Sequence, residues 1–154
     1  MKLGRVLIGT AVLWLAIPVL GQTQAPQDDL SGLQGTWLTV SLVNNGKTLV
    51  TENDPPKPGP VTKLAYEGNQ WKVIVGDKTV ATGVVKIDST RRPKEIDLLD
   101  ESGTKNEKTK LGVYELDGDI YKYCLAPAGK PRPTELASPE GSGYSLGVSR
   151  REKT

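Results

Sequence analysis

Side chains able to do chemistry are unevenly supplied in this chain. Its 154 residues include 18 acidic and 20 basic ones, a single cysteine and no histidine. Without imidazole there is no Ser-His or Cys-His nucleophile and no histidine metal ligand. Cys124 has no partner for a disulfide within the chain and no His to activate it. It reads as a small core residue in a strand, against the alternative of a reactive or dimer-forming thiol. The carboxylates gather in turns and loops, with Asp117 and Asp119 in "DGD" and Asp100 and Glu101 in a charged loop. A glycosidase pair must face across a cleft, and a calcium loop needs several more oxygen ligands than "DGD" supplies. The sequence therefore predicts no catalytic residues, no metal site, no cofactor and no enzyme activity.

Binding chemistry has better candidates. In "KPRPTEL", Arg132 has the guanidinium fork that grips a carboxylate or phosphate bidentately, and Glu135 beside it offers a local ion pair instead. Trp71, Val73 and Val75 share one face of an alternating run, as do Tyr144, Leu146, Val148 and Arg150 of a second run. Period two with one apolar face marks antiparallel strands, and their apolar residues would wall an interior. Tyr114, Tyr121 and Tyr123 join this candidate wall. In "LQGTW", Gly35 lets the chain turn into the first strand and sends Trp37 inward. Arg150 at the end of the last strand would stack on that indole and close the structure, or else Trp37 is ordinary core and Arg150 ordinary surface.

These residues need a scaffold of many short strands. Turn signals divide residues 36–150 into runs at 36–43, 61–66, 70–75, 78–87, 95–99, 109–116, 120–126 and 144–150. "NNG" after the first run is a hairpin signal. The pattern predicts an all-β fold, a single antiparallel up-and-down β-barrel of about eight strands, with a sandwich as the competing arrangement. Closure would place the first and last strands side by side and remove their edges. A barrel of this size has room for packed side chains or one small ligand. The proline-rich loop at 52–60 would lie over the open end as a lid or a plain connection. Pro127, Pro131, Pro133 and Pro139 argue for an ordered loop before the last strand with at most one helical turn.

The N-terminus has a separate task. Lys2 and Arg5 precede a 15-residue apolar run, Val6 to Leu20, and Val19 and Gly21 offer small residues for cleavage before Gln22. Residues 1–21 thus read as a secretory signal peptide, too short in its apolar part to span a bilayer. Cleavage would leave no stable membrane anchor and would send the chain to the periplasm, cell envelope or medium. Residues 22–31 read as a polar, flexible segment with a helical turn beginning at Leu30, and residues 32–152 as the domain. Removing Lys2 and Arg5 leaves 18 basic against 18 acidic residues. That balance gives no electrostatic basis for nucleic-acid binding.

"GTW" at the first strand, the strand count and a terminal Arg resemble the lipocalin superfamily. The stretches "LQGTW", "RRPKEIDL", "GVYELDGD", "YCLAPAGKPRPTEL" and "GSGYSLGVSRRE" resemble more narrowly the uncharacterised planctomycete domain family of exported, lipocalin-like proteins. This resemblance covers Leu30 to Glu152 and implies a fold and an exported location rather than an activity. The chain departs from ordinary lipocalins in lacking their disulfide and the helix before the last strand, and Thr39 and Ser41 share the Trp37 face. Two functions remain open. One is binding of a small, partly apolar molecule in the barrel, the other an interaction scaffold whose barrel is filled and whose loops meet a protein or glycan. An open apolar pocket of about 300 Å³ would favour the first.

Overall fold

The structure is a computed structural model that describes residues 29–51, 60–101 and 109–153. One short helix, α1 (Asp29–Leu33), precedes nine strands: β1 (Gly35–Asn44), β2 (Lys47–Val50), β3 (Thr62–Glu67), β4 (Gln70–Val75), β5 (Lys78–Asp88), β6 (Lys94–Asp100), β7 (Thr109–Asp117), β8 (Ile120–Leu125) and β9 (Ser145–Arg151). The helical turn expected from Leu30 is present and begins at Asp29. The expected lid at 52–60 lies almost wholly outside the described residues, as does the signal segment.

Every pairing is antiparallel, from β3 through β9 in chain order, and β9 returns to pair with β1. Eight strands thus close into a barrel, as the turn spacing predicts. The ninth, β2, continues the "NNG" hairpin. Since β9 runs along one edge of β1, β3 and β2 share the other edge. β3 pairs with residues 35–38 and β2 with residues 42–44. The end holding Gly35 and Trp37 is the floor, and the end holding Asn44 and Ser145 is the mouth.

Two corrections concern which residues face inward. On β9 the buried face carries Gly147 and Ser149, not Leu146 and Val148, which lie half-buried on the outside. Residues paired directly across strands share a face. Gly147 pairs with the buried Tyr123, whose ring occupies the place where a Cβ of residue 147 would stand. The ring fills the space the glycine vacates, so the smallest residues of β9 mark its inner face. On β1 a bulge at Val40 shifts the register, so Thr39 pairs with Ser149 but Ser41 pairs with Val148. An extra residue reverses side-chain parity beyond it. Ser41 therefore leaves the Trp37 face and Leu42, paired with Gly147, takes its place.

Apolar residues on the outside have their own cover. Val113, Cys124 and Leu146 are register neighbours on the outer face of β7, β8 and β9. The ordered, non-helical loop 126–144 lies over them, and Val113 and Cys124 are buried. The Cys124 thiol donates to Ala137 O at 3.1 Å, and burial pushes its pKa up. It is an inert core residue in this setting. The hairpin turn of β1 and β2 clasps the same loop: Asn45 N donates to Tyr144 O, Gly143 N to Asn45 Oδ1, and Gly46 N to Ser138 Oγ. Gly46, at φ 78°, leaves no room for a Cβ, which would stand 2.8 Å from Glu140 N.

Gly147→Ala is expected to displace the Tyr123 ring and lower stability by about 1–3 kcal/mol, the usual cost of overpacking. Urea unfolding of the variant measures it, and an unchanged midpoint would refute the ring-over-glycine packing.

Candidate functional site

The floor is built around Trp37. Its side chain is fully buried and its Nε1–H donates to Leu33 O at 2.8 Å, which ties α1 beneath the barrel. Gly35, at φ 104°, makes the turn that lets the chain enter β1 directly from that helix. The cation over the indole is Arg151, not Arg150. Its Cζ stands 4.1 Å from the ring centroid. Trp37 pairs with Arg151 across the closing seam, whereas Arg150 pairs with Leu38 and Ile120 and is exposed on the outer face. Arg151 also donates to Gln34 O at 2.6 Å and Gly32 O at 2.7 Å, and it meets Asp119 Oδ1 at 3.1 Å. One guanidinium thus satisfies carbonyls at the end of α1, covers the indole and holds the "DGD" turn. That use commits Asp119 to structure.

Above Trp37 lies a layer of tyrosines. Tyr121 touches Trp37, Tyr66, Tyr114 and Tyr123, with centroid separations of 5.2 to 6.5 Å. The Tyr66 and Tyr121 hydroxyls lie 3.0 Å apart and share one hydrogen bond. Removal from water holds Tyr66 and Tyr121 protonated well above the usual tyrosine range, and pushes Tyr123 up to about 12. Tyr114 points down and donates to Asp29 Oδ2 at 2.8 Å, which also accepts from Lys94 Nζ at 2.6 Å. Asp29 is only 6 % exposed, so this pairing is what makes its burial tolerable. Neither Asp29 nor Lys94 stands out in the sequence, because Asp29 sits in a polar run and Lys94 in an exposed-looking turn.

The predicted wall separates into two groups. Trp71, Val73 and Val75 do face inward beside Tyr66, Leu64 and Thr62, and Tyr114, Tyr121 and Tyr123 join them. Tyr144 and Leu146 do not. Tyr144 lies in the loop with its hydroxyl toward Pro131 O at 3.5 Å, and Leu146 is on the outer face. The Trp71 ring lies against Gly83, as Tyr123 lies against Gly147. Both aromatics are thus laid along a neighbouring strand instead of across the lumen.

Leu64, Val73, Ala81 and Leu125 face inward yet remain half-exposed, whereas Ile96 and Leu98 are buried. The mouth lies at the far end of β1 from Trp37, at the rung of Asn44 and Ser145. A cavity of about 290 Å³ opens there, lined by Asn44, Lys110, Leu125, Ala126, Pro127, Ala128, Gly143 and Ser145. Asn44, Ser145, Leu125 and Gly112 are successive register partners and form one inward rung across four strands. Lys110 lies two residues above Gly112 on the same face, paired with the buried Leu98. Sequence inspection misses Lys110, although its alternation with Gly112 and Tyr114 is a signal that could have placed it inside.

Arg132 does not pair with Glu135, which is exposed. It reaches from the loop to β6, with Nη2 2.7 Å from Asp97 Oδ1 and Nε 3.5 Å from Glu95 Oε2. It also donates to Gly112 O at 2.6 Å. A groove of about 630 Å³ runs beside it on the outer wall, between residues 90–93 and 132–134. Its guanidiniums are largely spoken for: Arg91 meets Asp88 at 3.3 Å and Arg92 donates to Ser89 O and Arg91 O. Among the described residues no three His, Cys, Asp or Glu side chains come together as a metal site. Compared with known protein families, curated proteins and solved structures, the chain matches none.

Two outcomes follow for the floor. Arg151→Ala is expected to cost about 2–4 kcal/mol in urea unfolding, from the stacking and the charge-assisted hydrogen bonds together. Arg150→Ala should cost less than about 1 kcal/mol, and the reverse order would reject this assignment. Tyr66, Tyr121 and Tyr123 favour their protonated forms when folded, while in the unfolded chain each ionises near pH ~10. Their contribution is complete below that pH and is lost as pH climbs toward the folded values. Stability should fall by up to about 4 kcal/mol per pH unit, the limit for three protons. Tyrosinate absorbance at these residues should appear together with the change in Trp fluorescence; ionisation of all five tyrosines in a still-folded protein would contradict the buried layer.

Proposed function

We propose that this is an exported, non-enzymatic protein that holds a small, partly apolar molecule in the upper part of its barrel. The observation that carries the reading is the contrast between the two ends. Aromatic rings and Arg151 seal the floor, while at the other end the half-exposed Leu125, with Ala126, Pro127 and Ala128, borders a cavity of about 290 Å³. That volume is at the small end for ligand sites, and an apolar wall with a few polar groups is their usual make-up. Export rests on the apolar run from Val6 to Leu20 and on the resemblance to exported lipocalin-like proteins. The balanced charge beyond residue 21 supports a role without nucleic acid. Among the described residues no helix is long and apolar enough to cross a membrane.

A second reading is favoured by the outer groove of about 630 Å³. Here the barrel is a scaffold and its loops meet a protein or glycan.

Native mass spectrometry of protein purified gently from its own host separates the two. A released adduct of small-molecule mass, lost on substituting Leu125→Trp to fill the mouth, is the expected result. A clean apo mass, with a protein or glycan retained instead, would favour the scaffold.

A further inference from the structure

Resting on that reading, we infer that the molecule bound at the mouth is a monoanionic amphiphile whose acidic head is held by Lys110. Lys110 lines the cavity, and its strand partner is the buried Leu98, which fixes its side chain on the inner face. Among the described residues no carboxylate pairs with it; Lys47, Lys78, Lys86, Lys122 and Lys130 share that property, but none of them lines this cavity. Among the described residues no acidic side chain lines the cavity either.

Below the ammonium the surface is apolar. Gly112 has no side chain, and Leu125 Cδ2 leans into the space that a Cβ there would take, 2.6 Å from its position. Ala126, Pro127 and Ala128 extend this surface to the rim. One further donor faces the same space. Asn44 Nδ2 donates to Ser145 Oγ at 3.0 Å, which uses an acceptor site of that hydroxyl and leaves its hydrogen to give. An ammonium, a hydroxyl hydrogen and an apolar surface in one cavity match an anionic oxygen joined to an apolar body. A single compensating cation matches a single negative charge. A charge-assisted hydrogen bond of this kind is stronger than a neutral one, more so where the ligand displaces water from an apolar surround.

The test uses two fluorescent probes that differ only by the acidic group: anilinonaphthalene sulfonate and the uncharged N-phenylnaphthylamine. Titrations are made with the purified protein and with Lys110→Met, Lys110→Gln and Lys110→Arg, each checked by near-ultraviolet circular dichroism. Lys110 is exposed on its strand, so at least one neutral variant is expected to keep the fold. The sulfonate should bind more tightly than the amine. Neutral variants should lose about tenfold for the sulfonate, the equivalent of one charged hydrogen bond, and leave the amine unchanged. Lys110→Arg should restore most of the loss. If both probes bind and the neutral variants shift neither, the anionic head is wrong and the apolar site stands. If neither probe binds the unaltered protein, the mouth is not a ligand site and both readings fall.

Discussion

The closing of β9 onto β1 is the contact on which the rest depends, and Arg151 stacked 4.1 Å from the Trp37 centroid is its anchor. Strand pairing alone would zip this seam, but it would not fix which rungs meet. Register is set where a side chain has one place to go. The indole has one, since its N–H must reach Leu33 O while its face takes the guanidinium. The guanidinium has one as well, because its two terminal nitrogens bind carbonyls of Gly32 and Gln34. With these two side chains fixed, the first strand, the last strand and the helix that precedes them form one unit. Sequence separation makes the point sharper. The partners stand at opposite ends of the domain, so the ordering of the whole chain is required before either is satisfied.

From that seam the distribution of polar and apolar material follows. Most ionisable groups of the floor have partners: Asp29 with Lys94 and Tyr114, Tyr66 with Tyr121, Asp119 with Arg151, while among the described residues the buried Trp71 Nε1 and Ser149 Oγ have none. The Asp29 and Tyr66–Tyr121 pairings are needed because those groups are removed from water, where an unpaired partner would be costly. The aromatic residues solve a different problem. Phe is absent from the chain, so tyrosine must fill the interior, and every buried hydroxyl then asks for a partner. Interior glycines at 83 and 147 relieve the crowding by letting a ring lie flat on the strand beside it. A barrel filled this way is dense at one end and leaves open space at the other.

Strand number, hairpins and the role of Gly35 and Trp37 were legible in the sequence because they depend on local chemistry: period two, turn residues and a glycine at positive φ. The parity of β9 was not. Leu146 and Val148 alternate like core residues, yet they serve an outer layer beneath the loop 126–144, which no single strand's pattern reveals. The bulge at Val40 was equally hidden, and it moved Ser41 off the interior face. Arg132 reads in the sequence as an anion contact or as the partner of Glu135, but its partners Glu95 and Asp97 lie on a strand far off in sequence, while the near neighbour Glu135 is exposed. Proximity along the chain is a poor guide to ion pairing in a fold made of non-local strands.

Lys110 shows how the same physics can point toward function. Several cations on the described strands, Lys63, Lys72, Lys94 and Arg151, are neutralised by Glu152, Glu67, Asp29 and Asp119. Among the described residues Lys110 has no such partner, and it stands on the inner face beside an apolar surface, where its head remains hydrated at the mouth. Retaining water there costs the empty barrel little, because the site is open. An incoming anion would exchange that water for a fixed hydroxyl and an ammonium while burying its apolar part against Leu125. The same residue at the floor would be intolerable without a carboxylate, as Lys94 illustrates. Depth in the barrel therefore decides whether a lysine is a structural partner or a binding group, and by that criterion the mouth is where recognition can occur.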